Sequence, residues 1–166
     1  MPEARLAAAL LVLGASAAQA QVAPSSLPEI TSAVQDCAAA AQVGGVAEQA
    51  LLAKGWSKAS FKQNGKELDT NLSVYGKVNG NPTIMTDAAR GKVGTICFVM
   101  AGLKQVRDYQ GVVDGLAALQ NTRPIQKQGL KVVFSDGAHI IQSELTGNSE
   151  KPAVRVAVMA ISPEKK

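Results

Sequence analysis

The sequence has few of the residues that usually carry metal binding. It contains one histidine, His139, and two cysteines, Cys37 and Cys97, among 166 residues. No CxxC or paired-histidine spacing occurs, so the sequence predicts no zinc or iron site. No loop has the residue spacing of an EF-hand. We therefore expect neither a metal nor a cofactor.

Charge is also scarce and forms no single strong block. Charged residues make up 18% of the chain, and the formal net charge is +4. So small a balance favours solubility but does not by itself indicate nucleic-acid binding. No apolar run after the N-terminal segment reaches the roughly 20 residues of a membrane-spanning helix. We expect no nucleic-acid partner and no membrane embedding of the mature chain.

The motifs of common enzyme classes are missing too. The segments ARGKVGT and GKVNGN contain glycine and lysine without the spacing of a phosphate-binding loop. Ser135, Asp136 and His139 lie together, but hydrolase triads assemble from separate elements. Asp136-Gly137 between two apolar runs is instead typical of a hairpin turn. These absences favour a protein that is not an enzyme, and they leave that question open.

Carboxylates are available for acid–base chemistry, but no feature of the sequence selects a pair of them. The available residues are Asp87, Asp108, Asp114, Asp136 and Glu144. A carboxylate-based hydrolase therefore stays an alternative without assigned catalytic residues.

The N-terminus, by contrast, is rich in small apolar residues. A short head containing Arg5 is followed by the uncharged run LAAALLVLGASAA and then by AQA. This layout is typical of a secretory signal peptide. We predict cleavage between Ala20 and Gln21 and export to the periplasm or the extracellular space.

The two cysteines of an exported chain predict one disulfide bond, Cys37–Cys97, because such compartments are oxidising. The bond would close a loop of 60 positions (97 − 37). In the chain-entropy model a loop of this length contributes at most about 4 kcal/mol.

The mature chain has the length of a single domain. Removal of residues 1–20 leaves 146 residues (166 − 20), enough for one sizeable core. We predict a flexible leader over 21–25, one domain over 26–162 and a frayed tail over 163–166. We find no internal repeat.

Three segments have helical patterns. The first begins with Ser26 and Glu29 at the spacing of a capping box. The second ends at Gly55, a typical C-terminal cap. The third covers 104–120, where Gly111 and Gly115 indicate close packing or a groove.

Strand patterns dominate the rest. Leu72, Val74 and Val78 alternate with less apolar residues, and Pro82 limits the following segment to an edge strand. The apolar run 94–102 predicts a central strand that is covered on both faces, and a hairpin and a last strand follow. Short connections favour antiparallel pairing. We predict an α+β fold: an antiparallel sheet of about four to six strands, with two to three helices mainly on one face.

The stretch KGWSKASFKQNGK places a lysine at every fourth position. Glycines interrupt any continuous helix through it, so we interpret Trp56 and Phe61 as core anchors with a solvated rim. A patch for an anionic partner is the functional alternative. Its residues are Lys54, Lys58, Lys62 and Lys66.

These observations favour a non-catalytic binding or interaction module that acts through sheet or loop surfaces. Its partner would be an envelope component or another exported protein. The alternative is a small-ligand carrier or carboxylate-based hydrolase with a pocket between helix and sheet. Converging carboxylates in a concave pocket would favour the alternative, and a filled core with a flat basic face would favour the module.

Overall fold

The computed structural model describes residues 23–64, 66–67, 71–78, 81–87 and 96–162. The predicted signal peptide over 1–20, the Ala20–Gln21 cleavage site and the 163–166 tail lie outside these ranges. Within them the helices are α1 (Leu27–Ala40), α2 (Glu48–Ala53) and α3 (Asp108–Gln120). The strands are β1 (Ala41–Gln42), β2 (Gly45–Val46), β3 (Ser57–Lys58), β4 (Lys62–Gln63), β5 (Lys66–Glu67), β6 (Leu72–Gly76), β7 (Thr83–Asp87), β8 (Ile96–Gly102), β9 (Gln126–Gln128), β10 (Lys131–Ser135), β11 (His139–Gly147) and β12 (Pro152–Ala160).

One large antiparallel sheet organises the fold. Its strand order is β3-β6-β7-β8-β12-β11-β10-β9, and β1–β2 and β4–β5 form separate two-stranded sheets. The α+β prediction is confirmed, but the sheet has eight strands rather than four to six. The edge strands β3 and β9 are short, polar and exposed. They carry no alternation of buried and exposed residues.

The large sheet has two halves of four strands. The first half, β3, β6, β7 and β8, comes after α1 and α2, and the strands of the two small sheets lie in the same part of the chain. The second half, β9, β10, β11 and β12, comes directly after α3. The last strands of the two halves, β8 and β12, pair antiparallel with Val99 opposite Val156. This arrangement puts β8, the described part of the apolar run 94–102, in the centre of the sheet, as predicted.

The core lies between the helices and one face of the sheet, which we call the inner face. α1 packs on β8 and β12, and α3 contacts α1 and β10. Cys37 of α1 and Cys97 of β8 form the predicted disulfide, with their Cα atoms 5.8 Å apart. The main inner-face residues are Tyr75, Ile84, Cys97, Val99, Val132, Phe134, Ile141, Val154, Val156 and Val158.

Two strand predictions are wrong. The alternation put Leu72 and Val78 on the apolar side, yet Leu72 is 37% and Val78 104% exposed, while Tyr75 is 2% exposed. Tyr75 lies opposite Ile84, so its ring enters the core. β7 is an interior strand rather than an edge, because Pro82 precedes its first residue and removes no hydrogen bond from the ladder.

The predicted helix ends are largely confirmed. Ser26 caps α1: its Oγ accepts from the N–H of Glu29 at 3.4 Å, and its own N–H donates to the Glu29 carboxylate at 2.6 Å. The Ser26 hydroxyl also donates to Oε2 of Glu29 at 2.7 Å, and this bond, together with the one from the Ser26 N–H, lowers the pKa of Glu29. Gly55 adopts φ +81° directly after α2, a conformation that glycine reaches without strain. α3 begins later than predicted, at Asp108.

Candidate functional site

The face of the sheet opposite the helices, which we call the outer face, is apolar across its central strands. Strand registers align Val74, Met85, Phe98 and Ala157 in one row across the sheet. Ile96, Met159 and Ile140 align in the next row. Its half-buried apolar side chains are Val74, Met85, Ile96, Phe98, Met100, Val133, Ile140 and Met159.

Charges of both signs lie at one end of the outer face. The guanidinium Nη2 of Arg155 is 2.6 Å from Oε2 of Glu144. Strand pairing places Met100 beside Arg155, and Lys131 beside Glu144. The face therefore joins a large apolar area to a small charged area of mixed sign.

Trp56 anchors the end of α2 in the core, as predicted. The side chain is 2% exposed, and its Nε1–H donates to Oδ2 of Asp36 at 2.9 Å. Lys77 approaches the same oxygen at 3.3 Å, and its ammonium is 4.6 Å from the centroid of the indole ring. This cluster satisfies a buried carboxylate and has the character of a structural contact. Phe61, by contrast, is 42% exposed, so its predicted core role is wrong.

The four lysines of the possible anionic-partner patch lie on four different elements. Lys54 caps the C-terminus of α2, and Lys58 lies in β3, where its ammonium is 3.0 Å from Glu48. Lys62 and Lys66 belong to the β4–β5 hairpin. All four are exposed, and no single helix face joins them. The anionic-partner patch stays a prediction.

Ser135, Asp136 and His139 build a turn. Oδ1 of Asp136 accepts from the N–H groups of Ala138 and His139 at 2.8 and 2.6 Å, and Oδ2 is 3.0 Å from the His139 ring. Burial raises the pKa of Asp136, but the hydrogen bonds from His139 and Ala138 outweigh it, so the net shift is downward. Ser135 Oγ accepts from the N–H of Gly137 at 3.2 Å. The hairpin prediction is thus confirmed.

The carboxylates do not converge on one cleft in the described part of the chain. Glu144 pairs with Arg155, and Asp114 accepts from a side-chain amide on its own helix. Oδ2 of Asp108 accepts from the N–H of Gln105 at 3.1 Å. Among the described residues, no cluster of three or more histidine, cysteine and carboxylate side chains could hold a metal ion.

A cavity of about 330 Å³ opens between the start of α1 and the first turns of α3. Asp108 is the carboxylate in its lining. The lining residues are Ser25, Ser26, Leu27, Ile30, Leu103, Lys104, Asp108, Gly111 and Val112. The Gly111 signal in the sequence therefore marks a real groove.

Gly115 has a different role from Gly111. A Cβ at Gly115 would lie 2.9 Å from Cδ1 of Leu27 and 3.3 Å from Cγ2 of Thr31, whereas a Cβ at Gly111 would have no heavy atom within 4 Å. Gly115 thus serves the close packing of α1 on α3. Gly111 leaves space at the wall of the cavity.

The outer face is the feature that sequence reasoning missed. In β8, Ile96, Phe98 and Met100 alternate with inner-face residues that are also apolar, so the run resembles a strand covered on both sides. The sequence did contain one signal for this face: the predicted helices are too few to cover both faces of the predicted sheet.

The comparisons with known proteins leave the function open. The chain matches no protein-family model, no curated protein and no solved structure. Within the described ranges, no helix is both long and apolar enough to cross a membrane. The Cys37–Cys97 disulfide is what an exported protein would carry. Function is therefore inferred from the geometry alone.

Proposed function

We propose that this protein is an exported, non-catalytic interaction module, in the periplasm or outside the cell, whose outer face binds an apolar surface of another exported protein. The observation that carries the proposal is the outer face itself. Its apolar side chains are contiguous and half-buried, and the helices of this chain lie on the opposite side of the sheet. A contiguous apolar area that stays accessible to solvent marks interaction sites in soluble proteins.

The chemistry of the outer face favours a protein partner. Met85, Met100 and Met159 contribute flexible, polarisable side chains, which adapt to irregular apolar surfaces. Arg155 and Glu144 form an ion pair there, so the face offers no field of one sign to a polyanion.

The size of the face also suits a protein partner. Eight strands give seven spacings, and with about 4.8 Å per spacing and about 17 Å of strand length the face covers about 600 Å². A standard interface buries about 800 Å² on each partner. The area of the outer face is therefore of the same order as one side of a standard protein interface.

The dispersion of the carboxylates supports a non-catalytic role. Glu144, Asp114 and Asp136 each have a separate structural partner. The cavity between α1 and α3 has Asp108 as the one carboxylate of its lining, so this cavity offers no acid–base pair among the described residues.

Capture from an envelope extract with matched variants tests the proposal. Phe98→Lys places a charge in the centre of the outer face, whereas Val78→Lys makes the same kind of change at a position outside it that is 104% exposed. We expect wild type and Val78→Lys to retain a common partner at high salt, and Phe98→Lys to lose it. Apolar contacts resist salt, and exposed ion pairs do not.

Several outcomes would overturn the proposal. The proposal fails if folded Phe98→Lys protein captures the same partner. It also fails if high salt abolishes capture by wild type, because that result would point to the lysines. Binding of the mature protein to phospholipid vesicles in place of a protein would also contradict it. Met100→Lys, on the same strand, replaces Phe98→Lys if thermal unfolding shows that the latter is misfolded.

A further inference from the structure

We infer that the cavity between α1 and α3 is a binding site for a small apolar carboxylate of the fatty-acid type. The cavity lies on the helix side of the sheet and is separate from the outer face. The inference therefore stands or falls independently of the proposed interaction module.

Buried apolar side chains form part of the lining of the cavity. Ile30, Leu103 and Val112 are buried residues of the core, and Leu27 adds a partly exposed side chain. The volume of about 330 Å³ lies at the lower end of the range for ligand pockets. It suits a small ligand that brings its own apolar chain.

Gly111 keeps this space open without a packing reason. A Cβ at this position would meet no heavy atom within 4 Å. A glycine inside a helix lowers the stability of the helix relative to alanine. Its neighbour Gly115 is explained by its contact with Leu27, but nothing in the described structure excludes a side chain at Gly111. A physical reason for glycine at this position is that the absence of a side chain leaves the cavity accessible.

The polar groups at the cavity include an exposed ammonium and a buried hydroxyl that has no hydrogen-bond partner among the described residues. Lys104 is exposed and forms no ion pair with any described residue. The hydroxyl of Ser25 is buried and has no hydrogen-bond partner within the described ranges. Asp108 Oδ2 is already engaged by the N–H of Gln105. A ligand carboxylate beside Lys104 would use the unpaired donors, and its chain would lie on the apolar lining.

Titration of the mature protein with octanoate, below its critical micelle concentration, tests the inference by amide NMR. We expect shift changes at Leu27, Leu103 and Val112. The neutral analogue 1-octanol should bind at the same amides. Lys104→Gln should weaken octanoate binding about tenfold, the worth of a charge-assisted hydrogen bond, and should leave octanol unchanged. Lys151→Gln, in the exposed β11–β12 loop, is the matched control.

Gly111→Leu tests the space itself. It should abolish the binding of both ligands while the protein remains folded. If it does not fold, Gly111→Ala should weaken both ligands by a smaller factor. Shift changes confined to Phe98 and Met100 would overturn the inference and assign the ligand to the outer face. Absence of shift changes, or unchanged affinity in the folded Gly111 variants, would also overturn it.

Discussion

Buried polar side chains are satisfied through specific partners, and the Trp56 cluster is the clearest case. Asp36 lies on the buried side of α1 and accepts from the indole N–H of Trp56 and from Lys77. The carboxylate thus joins α1 to the segments that precede β3 and follow β6. A buried donor that loses its acceptor bears the full cost of its desolvation.

Asp36→Ala should therefore destabilise the protein by about 2 kcal/mol, because it leaves the buried indole N–H of Trp56 without an acceptor. Urea unfolding followed by Trp56 fluorescence measures the change. Glu150→Ala, in an exposed loop, is the control and should stay within about 0.5 kcal/mol of wild type. Equal stability of the Asp36→Ala protein and wild type would show that this cluster contributes little.

Along a single helix, α3 contains two glycines that differ in purpose. Gly115 lets α1 approach, since Leu27 Cδ1 and Thr31 Cγ2 occupy the space that a Cβ would need. Gly111 faces open space at the cavity wall. Gly115 thus allows helix packing, and Gly111, four positions earlier, leaves a groove.

Gly111→Ala should raise the free energy of unfolding by about 0.5 to 1 kcal/mol, because alanine favours the helix and nothing obstructs its methyl group. Gly115→Ala gains the same propensity but must displace Leu27 and crowd Thr31, so its net gain should be smaller. Chemical denaturation of the two variants in parallel measures the difference. A larger gain for Gly115→Ala would contradict the assigned roles.

At the scale of the molecule, the large sheet of the described chain consists of two four-strand halves, one after α1 and α2 and one after α3. They meet at the β8–β12 pair, and all helices contribute to one core on the inner face. The Cys37–Cys97 disulfide ties the first helix to the last strand of its own half, at the centre of the sheet. Both cysteines are fully buried, so this cross-link is protected in the folded protein.

Replacing both Cys37 and Cys97 by alanine should lower the free energy of unfolding by up to about 4 kcal/mol, because the unfolded chain regains the entropy of the open loop. Urea unfolding with and without dithiothreitol measures the effect. Reductant should bring wild type close to the double variant and should not change the double variant. A double variant as stable as oxidised wild type would refute this contribution.

Much of the fold was predictable because its signals are local. The Ser26–Glu29 capping box, the Asp136-Gly137 turn and the positive φ of Gly55 each depend on a few adjacent residues. The disulfide was predictable because two cysteines allow one pairing. The cavity was only half predictable: Gly111 indicated a groove, but its lining comes from segments far apart in the chain.

The sequence by itself therefore determined the helices, the main strands, the hairpin and the cross-link, since each has a periodic or short-range signature. The tertiary structure alone decided that Tyr75 rather than Leu72 faces the core, and that β3 and β9 extend the sheet to eight strands. It also decided that an apolar outer face stays uncovered by the helices. Those features depend on neighbouring strands and on how many helices reach each face, and no short stretch of sequence encodes either.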